Sequence, residues 1–340
     1  MPLDNNNSEL DNFDTTDLYK QSALHQFIIS AGFEQFRLQA IPGDASNREY
    51  YRVITLNNTY ILMDASRDLA SIKPFINIDN LLLNNDVRAP VIMKSDEKLG
   101  FLLLEDFGKD SFTKFLAYKP EEEAELYSAA ISVLGQFSKI NYDLNLPVLN
   151  ENKLNSELEI FTQWYVENKM PKGIASKITA ELFSIFNELY TQLGVYRQGL
   201  VLRDFMADNL FWLGSSNEDG SVGVIDFQDA ALGSPVYDLV SLLEDARRDV
   251  SKEVVMKCKS EFQEYHRNVG EDAFEYVYAI LAAQRNIKII GIFHRLNLRD
   301  NKPRYLDYLP RVWGHINNNL KSPVLKDLKN WFEKYDLLSK

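Results

Sequence analysis

With 340 residues, 45% of them hydrophobic, the chain has material for two or three units of ordinary domain size and a packed core. Its formal charge of -12 argues against nucleic acid and anionic membrane as partners, its one cysteine, Cys258, excludes an internal disulfide, and its four scattered histidines offer no zinc-ligand spacing. No apolar run approaches the ~20 residues of a membrane helix, and the start lacks the basic-then-apolar order of a secretion signal, so a cytoplasmic protein is expected.

The Asn- and Asp-rich residues 1–15 are expected to stay loose, and Leu18 to Ala31 carries apolar residues at helical spacing up to Gly32. Three strand-like stretches follow, Phe36 to Ile41, Tyr50 to Leu56 and Tyr60 to Met63, separated by Gly43-Asp44-Ala45-Ser46-Asn47 and Asn57-Asn58-Thr59, which predicts an antiparallel meander. A helix is predicted from about Leu69 to Asn84, then a hairpin of Ala89 to Lys94 with Phe101 to Leu104. Residues 16–104 therefore read as a small N-terminal lobe and 105–108 as a hinge ending at Gly108.

Beyond the hinge, residues 109–340 change character. Helical periodicity runs through Pro120 to Ile140, Leu154 to Asn168 and Ile174 to Leu193, with Pro120 suited to a first turn. The one clear β feature is Asn209 to Leu213 turning into Val222 to Phe227, and helices resume at Tyr237. The fold class is α+β: a small antiparallel-sheet lobe followed by a mainly helical one. The acidic run Glu121-Glu122-Glu123 is a solvated first turn favoured by the helix dipole.

The chemistry-bearing stretch is Leu202-Arg203-Asp204-Phe205-Met206-Ala207-Asp208-Asn209, followed by Val224-Ile225-Asp226-Phe227. Asn209 begins the first strand of the hairpin and Asp226 ends the second, so antiparallel pairing brings them together, with Asp204 presented from the preceding loop. One carboxylate and one amide oxygen are a sufficient protein contribution to Mg2+ when ATP supplies phosphate oxygens. Asp204 is then left to orient an acceptor hydroxyl and take its proton. The competing reading is a plain Asp/Asn turn. The pairing with Asp226 and with Gly233-Ser234-Pro235-Val236-Tyr237-Asp238-Leu239 favours chemistry over that turn.

In this order, Arg203-Asp204, Asn209, Asp226 and Gly233-x-Pro235-x-x-Asp238-Leu239, the chain resembles the aminoglycoside phosphotransferase and choline kinase superfamily. Asp44-Ala45-Ser46-x-Arg48-x-Tyr50-Tyr51-Arg52, Leu103-Leu104-Glu105-Asp106, Asp226-Phe227-Gln228-Asp229-Ala230 and Gln284-Arg285-Asn286-x-Lys288 look more specifically like bacterial cell-wall-recycling kinases, which phosphorylate the anomeric hydroxyl of N-acetylmuramic acid and N-acetylglucosamine. The resemblance spans roughly Ala31 to Leu320 and implies a two-lobed, protein-kinase-like fold, Asp204 as base, Asn209 and Asp226 as magnesium ligands, and Asp238 as a buried support of the loop. We expect a monomer acting on a small-molecule acceptor, an amino sugar first, with ATP and Mg2+. An aminoglycoside, a choline-like amine, or a non-catalytic nucleotide-binding role are the alternatives.

Two positions depart from the pattern. Leu202 stands where a histidine normally props the loop, and Met63 where a lysine of the third strand grips phosphate. Arg48 and Arg52 are the candidate replacements for that lysine, with the backbone of Ser46 and Asn47 covering phosphates and the Glu105 to Phe107 segment meeting adenine. For the acceptor, Arg285 and Lys288 share a helical face that could bind a lactyl carboxylate, or could simply pair with neighbouring acids. Glu157, Phe161 and Trp164 form either a sugar-binding wall or a core stripe. Asp229 is a further pocket-wall candidate.

Overall fold

The computed structural model describes residues 15–42, 48–140, 146–196, 198–214 and 221–338. The three predicted strands pair as an antiparallel meander: β1 (Arg37–Ile41) sets Arg37 opposite Ile54 of β2 (Glu49–Ile54), and β2 sets Glu49 opposite Asp64 of β3 (Thr59–Asp64). The edge hairpin of β4 (Ile92–Asp96) and β5 (Phe101–Glu105) joins through β5, giving the order β1-β2-β3-β5-β4. Helix α1 (Thr15–Ser30) covers this sheet, burying Leu24, Phe27 and Ile28 against Val53, Leu62, Phe101 and Leu103. Each such fully buried apolar side chain contributes about 1.5–3 kcal/mol.

By its contacts the chain divides into two compact units, residues up to 73 with 91–106, and 74–90 with 107 onward. Helix α2 (Ile72–Leu83), read from the sequence into the small lobe, thus belongs beyond Lys73 to the larger unit, where Phe75 packs on Phe227 with ring centroids 4.9 Å apart. The boundary falls between Asp106 and Phe107, inside the segment read as a hinge.

The larger unit is built from α3 (Phe112–Tyr118), α4 (Glu123–Phe137), α5 (Glu151–Phe161), α6 (Glu167–Lys169), α7 (Lys172–Tyr190), α8 (Val236–Leu243), α9 (Lys252–Tyr265), α10 (Glu271–Leu298), α11 (Leu309–Asn319) and α12 (Lys326–Lys334). Pro120 opens a 3-10 turn that leads into α4. The predicted helix from Leu154 to Asn168 is interrupted: α5 ends at Phe161 and Thr162–Val166 wind as a π turn. Immediately before the interruption α10 makes a close approach. A Cβ on Gly291 would stand 2.4 Å from the backbone N of Phe161 and 2.6 Å from the carbonyl carbon of Ile160, so the two helices meet backbone to backbone. Cys258, on α9, is fully buried, and burial pushes its thiol up to about 12.

The β7 (Leu210–Trp212) and β8 (Val222–Val224) pair is the predicted hairpin in shorter form, with Leu210 opposite Val224. A second ladder, β6 (Gly199–Val201) against β9 (Ala231–Gly233), frames it and was not foreseen. No helix among the described residues is long and apolar enough to cross a membrane.

Candidate active site

The two short ladders hold one loop between them. β6 ends at Val201, and the chain crosses from Leu202 to Asn209 before entering β7. Arg203 sits at φ 73° and Asp226 at φ 61°, a left-handed conformation uncommon outside glycine. The first is held in place by α8, where the Asp238 carboxylate accepts the backbone N–H of Leu202 at 2.6 Å and of Arg203 at 2.8 Å. Ser241, one turn later, donates to the carbonyl of Arg203 at 3.2 Å. Burial pushes the Asp238 carboxyl up, and the two N–H donors, which favour the charged form, pull it partly back, to about 7.

Asp204, exposed, follows directly. Its carbonyl accepts Asn209 Nδ2 at 2.9 Å, while Ile225 N donates to the carbonyl of Asn209 at 3.0 Å. Asn209 and Asp226 are therefore neighbours across the hairpin, as the strand register required. The amide nitrogen of Asn209 is committed to the loop, so Oδ1 is the atom able to ligate. Asp226 Oδ1 accepts Gln228 Nε2 at 3.0 Å. A carboxylate and an amide oxygen carried at the same end of one hairpin are the kind of donors that Mg2+ takes. No trio of His, Cys, Asp or Glu capable of enclosing a metal occurs among the described residues, so an ion here would draw most of its shell from elsewhere.

Beneath the loop lies a buried polar network. The Arg203 guanidinium donates to Glu157 of α5, whose other oxygen stands 3.3 Å from Lys288 Nζ and 3.3 Å from Gln284 Nε2, both of α10. Lys288 Nζ also donates to Tyr237 OH at 2.6 Å. Burial works to raise the Glu157 carboxyl, but Lys288, Arg203 and Gln284 outweigh it and hold it below the usual carboxylate range. Arg285 is occupied as well, with one guanidinium nitrogen 2.8 Å from Ser241 Oγ and the other 3.5 Å from the Glu244 carbonyl.

These contacts correct part of the acceptor reading. Glu157, Arg285 and Lys288 are 4%, 4% and 8% exposed, so the α10 face that Arg285 and Lys288 share is an interior one, turned towards Glu157 and Ser241. Phe161 is fully buried and stacks on Tyr165 at 5.0 Å, and half-buried Trp164 falls in the π turn beyond the end of α5. Asp229, by contrast, is exposed and lines a cavity of about 520 Å³ with Arg203, Gln228, Lys153, Asn77 and the apolar walls of Ile78, Pro147 and Ala231.

In the small unit, Met63 is fully buried in β3. Arg52 makes a two-pronged pair with Asp106, 2.6 Å and 3.1 Å, which takes up the charge expected for phosphate. Arg48 is buried, at 8% exposure. Glu105 accepts the backbone N–H of Val91 at 3.2 Å. Ser46 and Asn47 lie outside the described residues. Phe107, in the larger unit, fills the space left by Gly223 of β8, where a Cβ would stand 2.6 Å from its ring, and Arg88 lies over the ring 5.2 Å from its centre.

A profile of the phosphotransferase enzyme family matches residues 37–268. The chain belongs to this family. It is similar to the N-acetylmuramate/N-acetylglucosamine kinase of Caulobacter vibrioides, 30% identical with 93% of this chain and 96% of that protein covered. It is likewise similar to the enzyme of the same name in Pseudomonas putida, 31% identical with 86% of each covered. Among solved structures, the ADP-bound aminoglycoside phosphotransferase APH(2'')-Ib aligns with a TM-score of 0.62 at 14% identity, over 86% of this chain and 96% of that one. The fold is thus the protein-kinase-like one of these phosphotransferases, and the chain is a kinase.

Within this phosphotransferase the replacement of the loop histidine by Leu202 has a local explanation. The Leu202 side chain is 1% exposed, and its backbone N–H, not its side chain, makes the bond to Asp238. The sequence reading did not foresee that Tyr237 and Gln284 join the Glu157 network or that Lys153 lines the cavity. Tyr237 was visible beside Asp238 in the sequence; Lys153 carried no signal there.

Proposed function

We propose that this phosphotransferase transfers the γ-phosphoryl group of ATP to the anomeric hydroxyl of N-acetylmuramic acid or N-acetylglucosamine. The single observation that carries the reaction type is the juxtaposition of Asp204, Asn209 and Asp226 around one hairpin, with Arg203 locked by Asp238 and Glu157. The likeness to curated N-acetylmuramate/N-acetylglucosamine kinases over most of the chain supports the acceptor.

On this reading Asp204 accepts a hydrogen bond from the hydroxyl on carbon 1 and takes its proton as the oxygen attacks phosphorus and the bond to the β-phosphate oxygen breaks. Asn209 and Asp226 would hold Mg2+, which when bound neutralises charge on the nucleotide phosphates. The sugar would occupy the 520 Å³ cavity, a volume within the ~300–1,000 Å³ typical of small-molecule sites, with Gln228 and Asp229 available to its hydroxyls. Among the described residues lining the cavity Asp229 is the one carboxylate, a poor match for a polycationic aminoglycoside.

Incubation with ATP and each sugar, followed by phosphorus NMR, should show the sugar 1-phosphate. Asp204→Ala should lower kcat by roughly 10²–10⁴-fold with native thermal stability. Absence of a sugar phosphate from both acceptors would end the acceptor assignment, and an active Asp204→Ala enzyme would end the assignment of the base.

A further inference from the structure

We propose that Lys153 recognises a carboxylate on the acceptor and sets the preference of the site for N-acetylmuramic acid over N-acetylglucosamine. The proposal rests on the amino-sugar reading above. N-acetylmuramic acid is N-acetylglucosamine carrying a lactyl ether, so the two acceptors differ by one carboxylate group.

The cations first expected to meet that carboxylate are already used. Lys288 and Arg203 converge on Glu157, and Arg285 is bound to Ser241 and the Glu244 carbonyl. Of the two cations among the described residues lining the cavity, Arg203 is held by Glu157, and the other is Lys153. Lys153 is exposed and makes no ion pair with an acid among the described residues.

Its base is nevertheless fixed. Lys153 is in the first turn of α5, and its backbone N–H is capped by Asn150 Oδ1 at 3.0 Å. A charged head on a fixed backbone position, at the wall that also carries Leu146, Pro147, Val148 and Leu149, offers an anion a partner without requiring any internal pair to break. An ordinary surface lysine has the same exposure. What separates Lys153 from one is its place on the cavity that also takes in Arg203 and Gln228, the residues adjoining Asp204 and bonded to Asp226.

The test compares kcat/KM for the two sugars in the wild type and in Lys153→Gln, Lys153→Glu and Lys153→Arg. The ratio of N-acetylmuramic acid to N-acetylglucosamine should fall about tenfold in Lys153→Gln, the scale of one lost charge-assisted hydrogen bond. It should fall further in Lys153→Glu, stay near the wild-type value in Lys153→Arg, and change mainly through KM. The neutral methyl ester of N-acetylmuramic acid should lose affinity with the wild type and lose nothing more with Lys153→Gln, a coupling that a merely structural lysine would not produce. If the wild type uses N-acetylmuramic acid alone, the same tenfold change is read in its KM. An unchanged ratio in Lys153→Gln and Lys153→Glu overturns the role of Lys153 and leaves the sugar-kinase reading intact, as does a wild type that uses only N-acetylglucosamine. A wild type that phosphorylates neither sugar overturns both.

Discussion

Glu157 receives three donors, two from α10 and one from the loop, so its removal leaves the charges of Arg203 and Lys288 stranded. Truncating one partner of a buried ion pair typically costs about 3–5 kcal/mol, because the other charge stays behind without compensation. Glu157→Gln should therefore lower the melting temperature strongly and reduce kcat, since Arg203 loses its anchor next to Asp204. Lys288→Met added to Glu157→Gln should recover part of the stability by removing one of the two stranded cations; a double variant less stable than the single one would contradict this account. Asp204, Asn209 and Asp226 were legible in the sequence because their spacing brackets one hairpin, so pairing alone brings two of them together. The partners of Arg285 and Lys288 were not legible for a related reason. Helical periodicity reports which residues share a face, not what packs on it, and here the partners come from α5 and α8, far away in sequence.

At the scale of elements, the long α10 depends on one glycine. Alanine at position 291 would drive its Cβ into the backbone of Phe161 and Ile160, atoms that cannot rotate away. Gly291→Ala should lose stability at or above the upper end of the ~1–3 kcal/mol usual for overpacking. Gly314→Ala, in α11, is the contrasting case, because nothing lies within 4 Å of its added Cβ. There the gain in helix propensity should raise stability by about 0.5–1 kcal/mol. Thermal melts of the two variants decide both points. The helices and the meander were readable from periodicity, whereas the π turn and the three-residue strands β6 and β9 were not. A single π turn inside a helical run leaves the apolar spacing nearly helical, and three residues are too few to show alternation.

For the molecule as a whole, Asp238 ties stability to pH in an unusual direction. Its folded pKa, about 7, stands above the ordinary aspartate value of 3.8, so between about pH 4 and 7 the folded state holds a proton that the unfolded chain has released. Its contribution to stability is therefore greatest in acid and declines as pH rises through that window. Glu157, with its lowered pKa, acts oppositely and loses its contribution as pH falls below the usual carboxylate range. Melting temperatures followed from pH 5 to 8 should show a component falling with pH that Asp238→Asn removes; a slope unchanged by that substitution would contradict the assignment. Fold class and family could be read from the whole sequence, because the motifs are ordered along most of it. The division of α2 between units could not, since it depends on what Phe75 touches.

The lone buried cysteine gives this protein a built-in clock. With no second thiol in the chain and the one present shielded on α9, an alkylating reagent can modify the folded enzyme only during excursions that open this part of the molecule. The modification rate then measures the free energy of those openings without an engineered label. Repeating the measurement with nucleotide or sugar present would report how far occupancy of the active site quiets a helix outside it.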